Sequence, residues 1–255
     1  MQQSFPIPLS LIRLRTALIM LALTVALPGS IMAASLWADK TEEEPYISPT
    51  LVYTNSEGVT EEALTYSGNA PFTVTLKANA THTQGWTSHF EWRIMKDGDD
   101  TPFIVRYEED TEVTFTNAGS YNIYLYATFA QGNDSIKYAE EYWAHETPLR
   151  ITISESKLVM PNAFSPNGDN INDIYKAKEY QSLIEFHAYI FNRWGQKLYE
   201  WTDPADGWDG TIDGKDVKPG VYFCLVKAKG SDGREYNIRK DVNLLRGYTE
   251  TTNRE

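Results

Sequence analysis

The chain of 255 residues is nearly devoid of cysteine, with Cys224 as its single thiol. One thiol cannot form an intrachain disulfide. No cysteine stands close behind the apolar run near the amino terminus, so we do not expect acylation of the lipoprotein kind there. Cys224 lies in the apolar run 221–226, whose pattern is typical of a β-strand. A thiol in such a run predicts a small core residue rather than a reactive nucleophile.

Positive charge is also scarce. The sequence has 23 Lys and Arg residues against 35 Asp and Glu residues, which gives a formal net charge of -12. An acidic surface repels the phosphates of nucleic acids and anionic membranes, so we expect no nucleic-acid partner. Divalent cations and basic proteins remain open as partners. Acidity also keeps an exported protein soluble.

Long apolar runs are missing from most of the chain. The run 17–27 follows Arg13 and Arg15 and ends at Pro28-Gly29, before the small residues near position 33. A membrane-spanning helix needs about 20 apolar residues, and this run is too short. A basic start, a short apolar core and small residues predict a secretory signal peptide over residues 1–33.

Familiar catalytic signatures are absent. The sequence has no Gly-x-Ser-x-Gly elbow, no His-Glu-x-x-His zinc motif and no phosphate-binding glycine loop. Its four histidines are scattered, at His82, His89, His145 and His187. We therefore expect that the protein is not an enzyme. A hydrolase whose site cannot be read from sequence is the least favoured alternative.

Aromatic residues and turn signals, by contrast, are abundant. The chain has 16 tyrosines, seven tryptophans and ten phenylalanines, together with Asn-Gly, Asp-Gly and Pro-Gly pairs. This composition favours β-structure. The sequence predicts an all-β fold of two tandem β-sandwich (immunoglobulin-like) domains after the signal peptide. A flexible acidic lead is expected over residues 34–49, and a polar tail over residues 247–255.

Short alternating runs separated by turns predict the first sandwich over residues 50–156. Within it, the segments 70–74, 90–92 and 115–121 resemble the polycystic-kidney-disease (PKD) type of immunoglobulin-like domain. The turn 95–99 departs from the Gly-Asp-Gly pattern usual in that family. Buried aromatic residues such as Trp92 and Tyr121 are expected to fill the core.

The segment 157–246 carries several motifs in a fixed order. They are 161–173, Asn192-Arg193-Trp194-Gly195, Gly207-Trp208-Asp209-Gly210, the pair Gly220 and Tyr222 in 219–222, and a final Leu-Leu-Arg246. This set resembles the gliding-motility-associated carboxy-terminal domain, the type B sorting domain of type IX secretion. The resemblance implies a small β-sandwich that carries proteins across the outer membrane of Bacteroidetes-type bacteria. It implies the type IX machinery as partner, and the cell surface or the medium as destination.

The two tryptophan motifs allow two interpretations. Arg193, Trp194, Trp208 and Asp209 combine aromatic and charged groups, which suits a binding hot spot for the secretion machinery. Alternatively, both tryptophans plug the ends of the sandwich while the glycines permit tight turns. The second interpretation is the favoured one.

A possible calcium site lies in the loop that opens this domain. Asn167, Asp169, Asn172 and Asp173 offer side-chain oxygens, the ligands that calcium prefers. The spacing matches an EF-hand loop only in part. Asparagine and aspartate also cap turns through their own backbone, so a capped loop without metal is the favoured alternative. No other cofactor is expected.

The role of the first sandwich stays open. We expect adhesion or binding of an unknown surface partner. The alternative is a carbohydrate-binding module that uses Trp86, Trp143 or Tyr142 as a sugar platform.

Overall fold

The computed structural model of the protein describes residues 43–247, which are nearly all β with one short helix. The predicted signal peptide, the first part of the lead and nearly all of the polar tail lie outside the described residues. Within residues 43–247, no helix is long and apolar enough to cross a membrane. The prediction of an all-β chain of tandem sandwiches is confirmed.

The first sandwich consists of ten strands and the helix α1. These elements are β1 (Thr50–Thr54), β2 (Thr60–Ala63), β3 (Thr65–Gly68), β4 (Phe72–Lys77), β5 (Thr87–Lys96), β6 (Ile104–Arg106), β7 (Thr111–Phe115), β8 (Gly119–Gln131), β9 (Asp134–Tyr138), α1 (Glu140–Trp143) and β10 (Leu149–Ile153). One sheet has the order β2-β1-β4-β7. The larger sheet has the order β3-β10-β8-β5-β6, and β9 pairs with β8.

Two-residue alternation places one face of each sheet in the core. In β4, Phe72, Val74 and Leu76 are buried while Thr73 is exposed. The fully buried Trp92 donates its indole N–H to the carbonyl oxygens of Glu108 and Glu109, at 3.1 Å each. The ring is thus both packed and satisfied, as a buried indole requires.

The lead differs from its prediction at its carboxy-terminal end. A flexible segment was expected over residues 34–49, but Ile47 is fully buried in the core of the first sandwich. Tyr46 forms a bridge with Thr81, with backbone hydrogen bonds of 3.1 and 2.8 Å. Burial of the apolar Ile47 side chain and the two backbone hydrogen bonds of Tyr46 favour this ordered end of the lead.

The second sandwich is built around one five-stranded sheet of order β12-β21-β20-β15-β16. Its strands are β11 (Lys157–Val159), β12 (Ala163–Phe164), β13 (Tyr175–Lys176), β14 (Glu179–Gln181), β15 (Leu183–Phe191), β16 (Lys197–Trp201), β17 (Gly207–Trp208), β18 (Thr211–Ile212), β19 (Lys215–Asp216), β20 (Gly220–Gly230) and β21 (Glu235–Leu244). The pairs β11–β14, β13–β17 and β18–β19 form three small sheets. Trp208 and Tyr175 lie at the centre of the core, fully buried.

The two sandwiches meet through a group of buried serines. The backbone N–H of Ala118 in the first sandwich donates to the carbonyl oxygen of Ser231 in the second, at 2.9 Å. Ala70 N–H donates to the hydroxyl of Ser182 at 3.2 Å, and the Ser231 hydroxyl donates to the Ser154 carbonyl at 2.9 Å. Ser182 and Ser231 are buried, so polar groups at the junction are paired across it away from the surface.

Candidate functional site

The motifs of the second sandwich lie at one end of its main sheet. In the antiparallel register, Phe191 pairs with Phe223, and Gly220 pairs with Leu244. The end of β15, the start of β20 and the end of β21 are therefore neighbours. We call this region, with the turns 192–195 and 219–222 and the segment 245–246, the motif end. The turn 230–233, which contacts the first sandwich, lies at the opposite end.

Asn192 builds the first turn of the motif end. Its side-chain oxygen accepts N–H groups from Trp194 and Gln196, at 3.0 Å each, and its amide donates to the Gln196 side chain at 3.1 Å. Gly195 has φ of +80°, a left-handed conformation that suits glycine. The turn is therefore fixed before any partner arrives.

The two motif tryptophans have opposite environments. Trp194 is 79% exposed, whereas Trp208 is fully buried and donates its indole N–H to the Thr211 carbonyl at 2.8 Å. The Arg193 guanidinium lies 4.9 Å from the centre of the Trp194 ring, within the range of a cation–π contact. The interpretation that both tryptophans plug the sandwich thus applies to Trp208 alone.

The remaining motif residues stabilise or permit the local backbone conformation. Asp209 accepts the N–H and the hydroxyl of Thr211, at 2.9 and 2.8 Å. A Cβ at Gly207 would collide with the carbonyl oxygen of Tyr175, so only glycine fits there. Tyr222 is half-buried and donates its hydroxyl to the Lys218 carbonyl at 2.7 Å. Gly220 starts β20 with φ of +149°.

Arg246 holds the motif end together, a role that the sequence did not reveal. Its guanidinium donates to the carbonyl oxygens of Val217, Pro166 and Gly210, at 3.3, 3.2 and 2.7 Å. It also pairs with Asp216 at 3.0 Å. The available sequence signal was the final Leu-Leu-Arg, in which a cation stands two residues after the end of the last strand.

An apolar groove of about 620 Å³ runs between the 192–195 turn and the start of β20. It is lined mainly by Trp194, Leu198, Val217, Pro219, Val221 and Phe223. Val221 and Phe223 are 50% and 42% exposed, which is unusual for apolar side chains in a sheet. An exposed aromatic and apolar patch beside Arg193 and Lys218 has the composition of a protein-binding hot spot.

The loop proposed for calcium has its oxygens engaged by its own backbone. Asp173 accepts N–H groups from Asn167, Gly168 and Asn170, at 2.8 Å each. These hydrogen bonds hold the pKa of Asp173 below its usual value, and the bond from the Gly168 N–H contributes most. Asp169 accepts from Ile171 N–H at 2.8 Å, and Asn172 has φ of +53°. The geometry favours the capped loop, and calcium binding stays the less favoured of the two interpretations.

Two further observations limit the chemistry of the described chain. Within residues 43–247, no group of three or more His, Cys, Asp or Glu side chains is placed to hold a metal ion. Cys224 is buried in the core of the second sandwich, and burial raises the pKa of its thiol to about 11. A thiol with this pKa stays protonated at neutral pH and acts as a small apolar side chain.

Fold and site together define a two-sandwich protein whose second domain presents a rigid, loop-built end. Residues 158–240 match the family described as the CHU_C Type IX secretion signal domain. The predicted resemblance to a type IX sorting domain is thereby confirmed for this segment. Such a domain implies interaction with the type IX secretion machinery and export of the protein that carries it.

The chain is also similar to solved structures, among them "Bacteroides ovatus mixed-linkage glucan utilization locus (MLGUL) SGBP-B in complex with mixed-linkage heptasaccharide". The two are 14% identical, and the match covers 80% of this chain and 48% of that chain, with a TM-score of 0.24. The chain therefore spans about half the length of that protein. A TM-score this low does not establish a common fold. No curated protein matches the chain.

Proposed function

We propose that the protein is a non-enzymatic cargo of type IX secretion, delivered to the cell surface or the medium through the motif end of its second sandwich. The observation that carries this proposal is the 79% exposure of Trp194 on a turn fixed by Asn192. An exposed indole on a rigid turn gives a partner a large contact area at low cost in conformational entropy.

A folded domain has to be recognised by its surface. Cargo that crosses the outer membrane already folded offers no stretched peptide for the machinery to read. The buried Trp208 and the Arg246 clamp then keep the recognised surface in one shape. The motif end lies away from the junction with the first sandwich, so it stays accessible when both domains are folded.

Deletion of residues 157–255 tests the export role. We expect the shortened protein to stay in the periplasm, while the full chain reaches the outside of the cell. Deletion of residues 248–255 alone is the matched control, and it should leave export unchanged because these residues follow the last motif. Arrival of the protein without residues 157–255 at the cell surface would contradict the proposal.

For the first sandwich we propose a role in adhesion or partner binding, with the PKD resemblance as support. The described surface of this sandwich has an exposed groove that a partner could occupy. Aromatic residues such as Trp92 and Tyr121 pack in its core. Turnover of any polymer by the purified protein would contradict the non-enzymatic part of the proposal.

A further inference from the structure

The larger sheet of the first sandwich has a groove on its outer face that export does not use. We call it the outer groove. It lies over β5 and β8 beside α1, and has a volume of about 550 Å³. This volume falls within the roughly 300–1,000 Å³ of small-molecule binding sites. Asn122, Tyr124 and Tyr126 reach it because the residues between them on β8 point into the core.

A rigid aromatic corner forms the middle of the groove. Trp143 donates its indole N–H to the Leu125 carbonyl at 3.0 Å. On this edge of β8, the pairing with β10 ends at Ile123 and the pairing with β9 begins at Ala127, so α1 fills a gap between two partner strands. The centroids of the Tyr124 and Trp143 rings are 5.6 Å apart, and the angle between the two ring planes is 88°. The two rings make two walls at right angles.

A closed set of planar polar groups lies next to this corner. Arg150 donates to the Asn122 side-chain oxygen at 2.9 Å and to Asp97 at 2.6 Å. Asn122 completes the set by donating to Asp97 at 2.9 Å. The side chains of Arg150 and Asp97 remain 45% and 39% exposed. Arginine has five N–H donors, so this set is held in place and still has donors for a ligand.

The neighbouring Tyr126 is already covered. The Arg93 guanidinium lies 4.0 Å above its ring and donates to Glu91 at 2.7 Å and to Glu140 at 3.2 Å. The open ring surface of the groove is therefore that of Tyr124 and Trp143. Arg93 and Glu140 also line the groove and add further planar polar groups to it.

We propose that the outer groove binds a neutral carbohydrate chain, which rests on the proposed role of the first sandwich as the binding part of the protein. A sugar ring has an apolar C–H face that packs on aromatic rings, and a rim of hydroxyl groups that pair with carboxylate, amide and guanidinium groups. The corner and the polar set supply these two kinds of contact side by side. Fixing both in advance lowers the entropic cost of binding.

Charge narrows the class of carbohydrate. Four carboxylates and two cations line the groove, namely Asp97, Asp99, Asp100 and Glu140 against Arg93 and Lys96. Arg150 of the polar set adds a third cation beside them, which leaves one carboxylate in excess. The surplus negative charge repels uronic-acid and sulfated polysaccharides and leaves neutral ones as ligands.

The test is binding of the full chain without its signal peptide to neutral glucan, xylan and mannan, with polygalacturonate as the acidic counterpart. We expect binding to at least one neutral polysaccharide. Tyr124→Ala should weaken that binding about tenfold, the effect of one lost contact of ordinary size. Tyr107→Ala is the matched control, because Tyr107 is an exposed tyrosine of the same sandwich outside the groove, and it should change nothing.

Asn122→Ala provides an independent variant that opens the polar set and leaves the rings in place. It should also weaken binding about tenfold, with a thermal transition confirming that the protein is folded. The proposal is overturned if no neutral polysaccharide binds, if polygalacturonate binds best, or if a protein partner alone is captured. It is also overturned if both variants bind as the unmodified chain does. Export is measured separately by cell fractionation. None of these binding results bears on the proposal that the second sandwich directs export.

Discussion

The two sandwiches share a fold class but differ sharply in charge. Residues 43–156 carry 18 acidic and six basic residues, a net charge of -12, whereas residues 157–247 carry 13 of each and are neutral. Both cores have a fully buried tryptophan whose indole donates to backbone carbonyls, Trp92 in one and Trp208 in the other. The difference therefore lies in the surfaces and not in the way the cores are built.

The surfaces of the two domains suit different partners. The first sandwich presents a polar groove on a sheet face, and the second presents an apolar patch on rigid turns at one end. A neutral domain with exposed Trp194, Val221 and Phe223 is suited to docking on another protein. An acidic domain with polar grooves is suited to a hydrophilic, uncharged ligand. In the two proposals above, delivery and ligand binding belong to separate domains.

The strongest test of this comparison is removal of the two buried indoles. Trp92→Ala and Trp208→Ala should each lower the free energy of unfolding by about 3–5 kcal/mol, because each leaves a large cavity and unpaired carbonyl groups. Urea denaturation measures the loss. Equal losses would support equivalent cores. A loss below about 1 kcal/mol for either variant would show that its indole is not central to packing.

Arg246→Ala should have the next largest effect and should be specific to the motif end. Three backbone carbonyls lose their donor, so we expect a loss of about 2–3 kcal/mol in the free energy of unfolding. Arg246→Lys is the control, since one ammonium group cannot reach three separated carbonyls and should restore only part of the stability. Full stability of Arg246→Ala would refute the clamp.

A substitution at the junction between the two sandwiches should have a smaller effect on stability, and this effect should involve both domains. Ser231→Ala removes the hydroxyl that donates to the Ser154 carbonyl and should cost about 1 kcal/mol. Thermal unfolding should then show two transitions, because the two sandwiches unfold at different temperatures. Ser135→Ala, at an exposed serine of β9, is the control and should leave a single profile. An unchanged profile for Ser231→Ala would show that the junction does not couple the domains.

Acid should loosen the 167–173 loop as the Asp173 carboxylate becomes protonated. The folded-state pKa of Asp173 is lowered, so its contribution to stability is present above the unfolded value of about 3.9 and is lost as pH falls through the folded value. Melting temperatures of the unmodified chain and Asp173→Ala should differ at pH 7 and converge toward pH 2. A constant difference across that range would contradict the capping role.

Calcium should have the smallest effect. Asn167, Asp169 and Asp173 already accept backbone N–H groups, so we expect no heat in a calorimetric titration and no change in melting temperature. Binding of calcium with a rise in melting temperature would establish the metal site that the oxygen-rich sequence also allows.

Local pattern predicted much of the fold. The run 183–191 has the two-residue alternation of a strand in its second half, and it forms β15 in the structure. The Asp232-Gly233 pair turns the chain between β20 and β21, as two residues of this type do in hairpins. The lead differs from its prediction at Ile47, which is buried in the core. The residues before it are mostly acidic or proline, and this local pattern does not indicate a buried side chain.

The site required tertiary contacts that no local pattern contains. Trp194 and Trp208 both lie in glycine-containing motifs of similar sequence. They differ in burial because other strands pack around Trp208 and no described strand covers Trp194. Arg246 reaches carbonyls 29, 36 and 80 residues away in the chain. Trp143 donates to a carbonyl in a gap between two strands, and that gap exists only once the sheet has formed.

The central claim is that the secretion machinery reads the exposed motif end of a folded domain. Cell fractionation of the full chain carrying Trp194→Ala tests it most directly, since an exposed side chain should change the free energy of unfolding by no more than about 0.5 kcal/mol. The account predicts a folded protein that accumulates in the periplasm, while the control Tyr180→Ala, at another exposed aromatic of the same domain, is exported. Normal export of the folded Trp194→Ala protein would contradict it.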